Sequence, residues 1–326
     1  MKILTALAVS AALIVAPQSP AAAACSWNAT PLARPSGYVM VKPTAQAGTS
    51  LMVGTAYKTN LMDGTNHAYG VVWRNGVPEI LPKPPVTGEG SNSPATVNAN
   101  GVIAGMWYSS SGGVSTPWRY QNGSYQLLPM PVQQGTWYYV TGINSSGDVV
   151  GRRMYFYGAR GLLWRIDRPA EVTDLGPAGA VGIDAQRRVV LSNGTIVNPN
   201  GSQTVVQGGG VVRVFQDGRI LGDRSGSRTI VEWNLSGQVV REISGGLPSG
   251  VNAAGNIVGE SDVLDGPGQG YKKAVWFNGV RELVTSPKPY QNPPDITDDN
   301  VIIGEYDADG DTNWVGNVGV TWRRSC

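Results

Sequence analysis

Along this chain, apolar and polar positions alternate over short runs and never settle into a helical period. Runs of four to eight residues rich in Val, Ile, Leu, Tyr and Trp are bounded by Asn, Asp and Gly, the pattern of β-strands joined by tight turns. One motif recurs: an apolar residue, Asn or Asp, a Gly-containing turn, two aliphatic residues, then Gly. The clearest copies are G-I-N-S-S-G-D-V-V-G (142–151) and G-V-N-A-A-G-N-I-V-G (250–259), with V-N-A-N-G-V-I-A-G (97–105) close behind. D-I-T-D-D-N-V-I-I-G (295–304) and V-F-Q-D-G-R-I-L-G (214–222) are looser, G-I-D-A-Q-R-R-V-V-L (182–191) loses its final Gly, and the first copy keeps only L-M-V-G, ending at Gly54.

Seven copies result, with equivalent positions at 54, 105, 151, 191, 222, 259 and 304, about 42 residues apart. That spacing suits a four-stranded propeller blade. Each copy reads as a hairpin, because Asn accepts backbone hydrogen bonds in a turn and Gly tolerates positive φ. A second hairpin follows. Its first strand ends in Trp at V-V-W-R-N-G (71–76), P-W-R-Y-Q-N-G (117–123), G-L-L-W-R (161–165), V-E-W-N-L-S-G (231–237), A-V-W-F-N-G (274–279) and V-T-W-R-R (320–324), while T-I-V-N-P-N-G (195–201) lacks it. We read this Trp as packing between neighbouring blades rather than as a ring of ligand platforms. The expected fold is an all-β, seven-bladed propeller of four-stranded antiparallel blades.

The H-A-Y-G-V-V-W segment (67–73), preceded by M-V-G and followed by N-G-V-P-E-I-L, resembles the HAF repeats of bacterial extracellular proteins. The resemblance implies a secreted, propeller-like repeat protein and no defined catalytic residues. Only the first copy keeps the His, and His67 is the single histidine of the chain.

The ends complement each other. The last copy stops at T-W-R-R-S-C (321–326) without a return strand, and residues 26–33 supply a strand before the first copy begins. An N-terminal strand closing the last blade would remove an exposed sheet edge. Cys25 and Cys326, the only cysteines, would then meet in a disulfide. Residues 1–24 have the form of a signal peptide: Lys2, an apolar stretch from Ile3 to Ala16, a Pro-containing break, and Ala22-Ala23-Ala24 at the cleavage position. The reading is a secreted protein whose single propeller domain spans 25–326. Lipid anchoring through Cys25 is the rival, and Ala22 stands where a lipoprotein signal carries Leu. No apolar run of about 18 residues follows residue 24, so no membrane span is expected. The net charge of +2, with no Lys/Arg run behind it, argues against nucleic acid.

Candidate chemistry is sparse. The connections between second and third strands are longest at Ala56–Asn66, Ser261–Gly270 and Tyr306–Val318, where insertions on a scaffold carry function. Asp307, Asp309, Asp311 and Asn313 alternate around Gly310 as oxygen ligands of a calcium loop do, although the closing bidentate Glu is missing. The other reading is a solvated acidic turn. If calcium binds, millimolar Ca²⁺ raises the melting temperature, and Asp309→Ala with Asp311→Ala removes that response. Asp262 and Asp265 stand in the neighbouring insertion. Asp223, Glu260 and Glu305 follow the repeat position in three successive copies, with Arg152 in the third. They form either an acidic sector suited to acid–base work or ordinary strand-end charge. Trp107, Tyr108, Trp137, Tyr138 and Trp314, together with Tyr155-Phe156-Tyr157, lie outside the recurring Trp position. They are candidates to stack on a ligand or to pack between blades. The functional expectation is a monomeric secreted propeller that binds a carbohydrate or an extracellular protein through one rim. The alternative is a secreted hydrolase or lyase using clustered carboxylates, with or without calcium.

Overall fold

The computed structural model describes residues 25–59, 67–112, 115–131, 137–224, 227–264, 271–284, 291–307 and 317–326. They form seven four-stranded antiparallel sheets. Six are consecutive meanders. The seventh orders Gln291–Ile296, Val301–Asp307, Asn317–Ser325 and finally Ser26–Pro31. The N-terminal strand thus closes the last blade, with Ala29 opposite Trp322. We number the blades 1 to 7 from residue 40, and the strands of each blade from the channel outward.

The closure is packed as well as paired. Trp27 is buried and stacks on Phe277 of blade 6 with ring centroids 6.0 Å apart. Arg324 lies over the same ring and pairs with Glu282 of blade 6. Cys25 and Cys326 form the disulfide, with 4.3 Å between their Cα atoms.

Turn chemistry explains the hairpins. Asn75-Gly76, Asn122-Gly123 and Asn278-Gly279 all have positive φ, with Asn75 at 51° and Gly76 at 79°. Those are the values a two-residue hairpin turn matched to strand twist requires.

The repeat Gly has a different cause. In every blade the first strand carries a bulge at the same place, between Pro43 and Ala45, Pro94 and Thr96, Val140 and Gly142, and their equivalents. In blades 1, 2, 3, 5 and 6 the repeat Gly pairs with the residue just before that bulge, and a carbonyl of the first strand closes over it. A Cβ on Gly54, Gly151, Gly222 or Gly259 would lie 2.1, 2.1, 1.9 and 2.1 Å from the carbonyl oxygens of Lys42, Tyr139, Gly210 and Leu247. Blade 4 has Leu191 here, and blade 3 makes room: the Leu191 Cδ2 lies 2.8 Å from where a Cβ on Gly161 would be. Gly151→Val is therefore expected to destabilise by ~3 kcal/mol, the upper end for overpacking. An unchanged denaturation midpoint would refute this account of the bulge.

The recurring Trp is a core residue. Trp73, Trp118, Trp164, Trp233, Trp276 and Trp322 are all at most 1% exposed. Several indoles also pin the chain entering their blade: Nε1 of Trp73, Trp164 and Trp233 donates to the carbonyls of Ala33, Pro129 and Gln207. One copy departs from the expectation. Trp73 pairs with Met52, but in blade 2 the equivalent pairing is Ile103 with Tyr120, and Trp118 sits two residues earlier opposite Gly105. The period of two keeps Trp118 on the same face. Val197 takes the position in blade 4. Among the described residues no helix is long and apolar enough to cross a membrane.

Candidate functional site

The first strands surround a central channel: Met40–Gln46, Gly90–Val97, Trp137–Ile143, Ala180–Ile183, Gly210–Val214, Gly246–Val251 and Gln291–Ile296. At the end bearing the turns between first and second strands it opens into a cavity of about 510 Å³ to which all seven blades contribute.

The turns build the mouth. Asn98, Asn144, Asp184 and Asn252 accept backbone N–H groups of their own turns through Oδ1. Thr297 accepts one through its hydroxyl. All five are buried, and the amides then reach the next blade. Nδ2 of Asn98 donates to the Asn144 carbonyl at 2.8 Å, Asn144 to Asp184 at 3.3 Å, and Asn252 to Thr297 at 2.9 Å. Thr44 and Thr141 add hydroxyl bonds to the Pro94 and Ala180 carbonyls of their neighbours, at 2.9 and 2.8 Å. A buried amide is costly unless it is satisfied, so each link fixes the angle between two blades as well as its own turn.

Blade 5 breaks the pattern and gives the channel its charge. The residues following the bulge are Ala45, Thr96, Gly142, Gly182, Arg213, Gly250 and Asp295. Five are small or neutral. Arg213 Nη2 reaches past blade 6 and donates to Asp295 Oδ2 of blade 7 at 2.8 Å. In the other direction Gln216 spans blade 4: its Nε2 donates to the Ile143 carbonyl and its Oε1 accepts the Ser145 N–H of blade 3. Two side chains of one blade therefore run as chords across the mouth. The Asp295 side chain is 5% exposed, whereas Arg213 is 34% exposed toward the channel. A guanidinium has five N–H donors, and Arg213 bonds Asp295 through Nη2.

Burial pushes the Asp295 carboxyl above the ordinary carboxylate range, against the opposing pull of Arg213 and the Ile296 N–H. The folded protein then keeps a proton on Asp295 at pH values where the unfolded chain has lost it. This group's contribution to stability accordingly falls as pH rises from the ordinary carboxylate value through the raised one. Asp295→Asn should flatten that part of the pH–stability curve, and an unchanged slope would count against it.

The residues singled out from the sequence fare unevenly. Trp107 and Tyr138 are 5% and 0% exposed and belong to core clusters, so they present no face to a ligand. Tyr108 is half-buried against the same packing and Trp137 is 45% exposed. The acidic residues are not poised together. Glu260 is held by Arg228 of blade 5 at 2.7 Å and Lys273 of its own blade at 3.0 Å. Burial raises its carboxyl, but these two cations outweigh burial and leave it below the ordinary range. Glu305 faces Lys42 of blade 1 at 3.5 Å. Asp223 is half-buried at the end of its strand, and Arg152 lies over the Tyr139 ring. Glu260 and Glu305 thus tie neighbouring blades. Asp307 ends the second strand of blade 7 with its backbone opposite Asn317. Asp309, Asp311, Asn313, Trp314 and Asp265 lie outside the described residues, as does most of each long insertion. Among the described residues no group of three or more His, Cys, Asp or Glu could hold a metal.

The fold has known counterparts. A puromycin-hydrolyzing peptidase of Mycobacterium tuberculosis superposes with a TM-score of 0.55 at 12% identity, over 82% of this chain and 49% of that one. A prolyl endopeptidase gives 0.52 at 11% identity, over 87% of this chain and 46% of that one. The β-propeller domain of Cps50 (Swd1) from Myceliophteria thermophila gives 0.52 at 11% identity, over 90% and 99%. The chain spans about half the length of the two peptidases. At these identities the likeness concerns the fold alone. No family model and no curated protein matches the sequence.

Sequence reasoning missed the channel pair and the Gln216 chord. Their signal was the looseness of the fifth copy, in which Phe215 stands at the turn position held by Asn, Asp or Thr in five other blades and by Ala47 in blade 1, and Arg213 at a position otherwise small or acidic.

Proposed function

We propose that this protein is a secreted, HAF-repeat-like propeller that binds a carbohydrate carrying an acidic group in the channel mouth. The observation that carries the reading is the cavity of about 510 Å³ with Arg213 on its wall, held in one orientation by Asp295 and solvent-accessible beside it. A planar guanidinium recognises a carboxylate by paired, charge-assisted hydrogen bonds. The half-buried Thr44 and Thr141 hydroxyls on the cavity wall donate to neighbouring blades and keep acceptor capacity of the kind sugar hydroxyls need. The disulfide and the signal-like first 24 residues support export. Catalysis by the acidic sector gains no support, because Glu260 is held ionised by two cations, whereas a general acid needs a raised pKa.

The test is calorimetric titration with uronic-acid-containing and neutral oligosaccharides of equal length. The acidic series is expected to bind, and Arg213→Gln to weaken it by about tenfold or more, the scale of a lost charge-assisted hydrogen bond. Failure of every acidic oligosaccharide to bind, or equal affinity in Arg213→Gln, would overturn the proposal.

A further inference from the structure

We propose that blade 3 docks on an anionic lipid surface through the tip of its second-to-third-strand hairpin. The tip lies at the opposite end of the blade from the channel mouth, because successive antiparallel turns alternate ends. The inference is therefore independent of the ligand site.

The hairpin joins Val149–Tyr155 to Gly158–Trp164 through a two-residue turn, and the turn residues are Phe156 and Tyr157. They are 97% and 93% exposed, with Tyr155 at 39%. Among the described residues the other two-residue hairpin turns, at 75–76, 122–123 and 278–279, are Asn-Gly, as turn geometry favours. Two large aromatics on a turn tip bring the fold no burial. A local rule broken without a structural gain points to function.

The base of the hairpin says which partner suits the tip. Arg153 and Arg160 stand directly opposite each other across the two strands, an arrangement that costs stability through like-charge repulsion. Arg152 adjoins them, lying over the Tyr139 ring. Asp174 answers them in part: it accepts a hydrogen bond from Arg160 Nε at 2.6 Å and attracts Arg153. Exposed Trp137 on the adjoining strand pairs with Met154, just below the tip. An apolar aromatic tip above a basic collar is the combination that settles at a lipid interface. The rings enter the headgroup boundary and the arginines meet anionic lipid. Neither signal alone holds a protein there, and here they occur together.

The experiment is co-sedimentation of the purified protein with vesicles of phosphatidylcholine alone and of phosphatidylcholine mixed with phosphatidylglycerol. Binding is expected on the mixed vesicles and should weaken as salt is raised. Phe156→Ser with Tyr157→Ser should weaken it by about tenfold or more. Arg153→Gln with Arg160→Gln, which leaves the aromatics in place, should reduce binding to the mixed vesicles and offers a second variant should the tip change disturb folding. No binding to the mixed vesicles, or full binding by the tip variant, would overturn the proposal. So would equal binding to both vesicle types, and tip-dependent binding to a neutral glycan or a protein in place of the vesicles.

Discussion

Replacing Cys25 and Cys326 by serine is expected to lower stability by up to about 5 kcal/mol in the chain-entropy treatment of cross-links. The bond closes a loop with a sequence separation of 301 residues, so it removes a large share of the unfolded chain's freedom to separate its ends. The loss is an upper figure, because the closing strand stays attached by other means. Ser26–Pro31 pairs along its length with Asn317–Ser325, Trp27 stays stacked on Phe277, and Leu32 N–H still donates to the Gly319 carbonyl at 2.8 Å. The variant should therefore fold with the same strand content and unfold at a clearly lower denaturant concentration. Equilibrium unfolding in urea measures the difference. Equal midpoints for the variant and the oxidised wild type would mean that the clasp contributes nothing to ring closure.

Trp164→Ala is the second large effect, with an expected cost of ~3–5 kcal/mol for removing a buried aromatic side chain. Trp164 is 1% exposed and sits in a cluster with Leu128, Tyr138, Val140, Val149 and Leu162. Its Nε1 also holds the Pro129 carbonyl at 2.8 Å, at the point where the chain passes from blade 2 into blade 3. Truncation leaves a cavity and an unpaired carbonyl together. Trp137→Ala, on an indole 45% exposed, should change stability by no more than about 0.5 kcal/mol. Thermal unfolding of the two variants side by side checks the contrast, and comparable losses in both would refute the assignment of the recurring Trp to the core.

The blade count and the closure were legible because they follow from local chemistry repeated seven times. Asn-Gly at 75–76, 122–123 and 278–279 specifies turns, and the unmatched strand at 26–31 complements the unfinished last blade. The turn also decides what the Trp pattern left ambiguous. In P-W-R-Y-Q-N-G the Asn122-Gly123 turn sets the register, so Tyr120 takes the common position and Trp118 falls two residues short of it. The recurrence of Gly54, Gly105, Gly151, Gly222 and Gly259 was visible, but its cause was not, because the obstructing carbonyl belongs to a bulge in another strand.

The channel was illegible for a related reason. Arg213 and Asp295 lie 82 residues apart and meet only because the ring brings blades 5 and 7 to either side of blade 6. The aromatic candidates divided by burial: Trp107 and Tyr138 alternate into the core, while Phe156 and Tyr157 occupy a turn. The acidic sector looked like one site because its members share a repeat position. Neighbouring blades instead present Arg228 and Lys42 to Glu260 and Glu305.

Hydrogen–deuterium exchange with and without an acidic oligosaccharide tests the central claim, that the channel mouth is the ligand site. Protection is predicted at the ends of the first strands and the turns that follow them, residues 44–48, 95–99, 212–219 and 295–298, which line the cavity. It should disappear in Arg213→Gln. Protection confined to the connections between second and third strands, at the opposite end of the blades, would contradict the account.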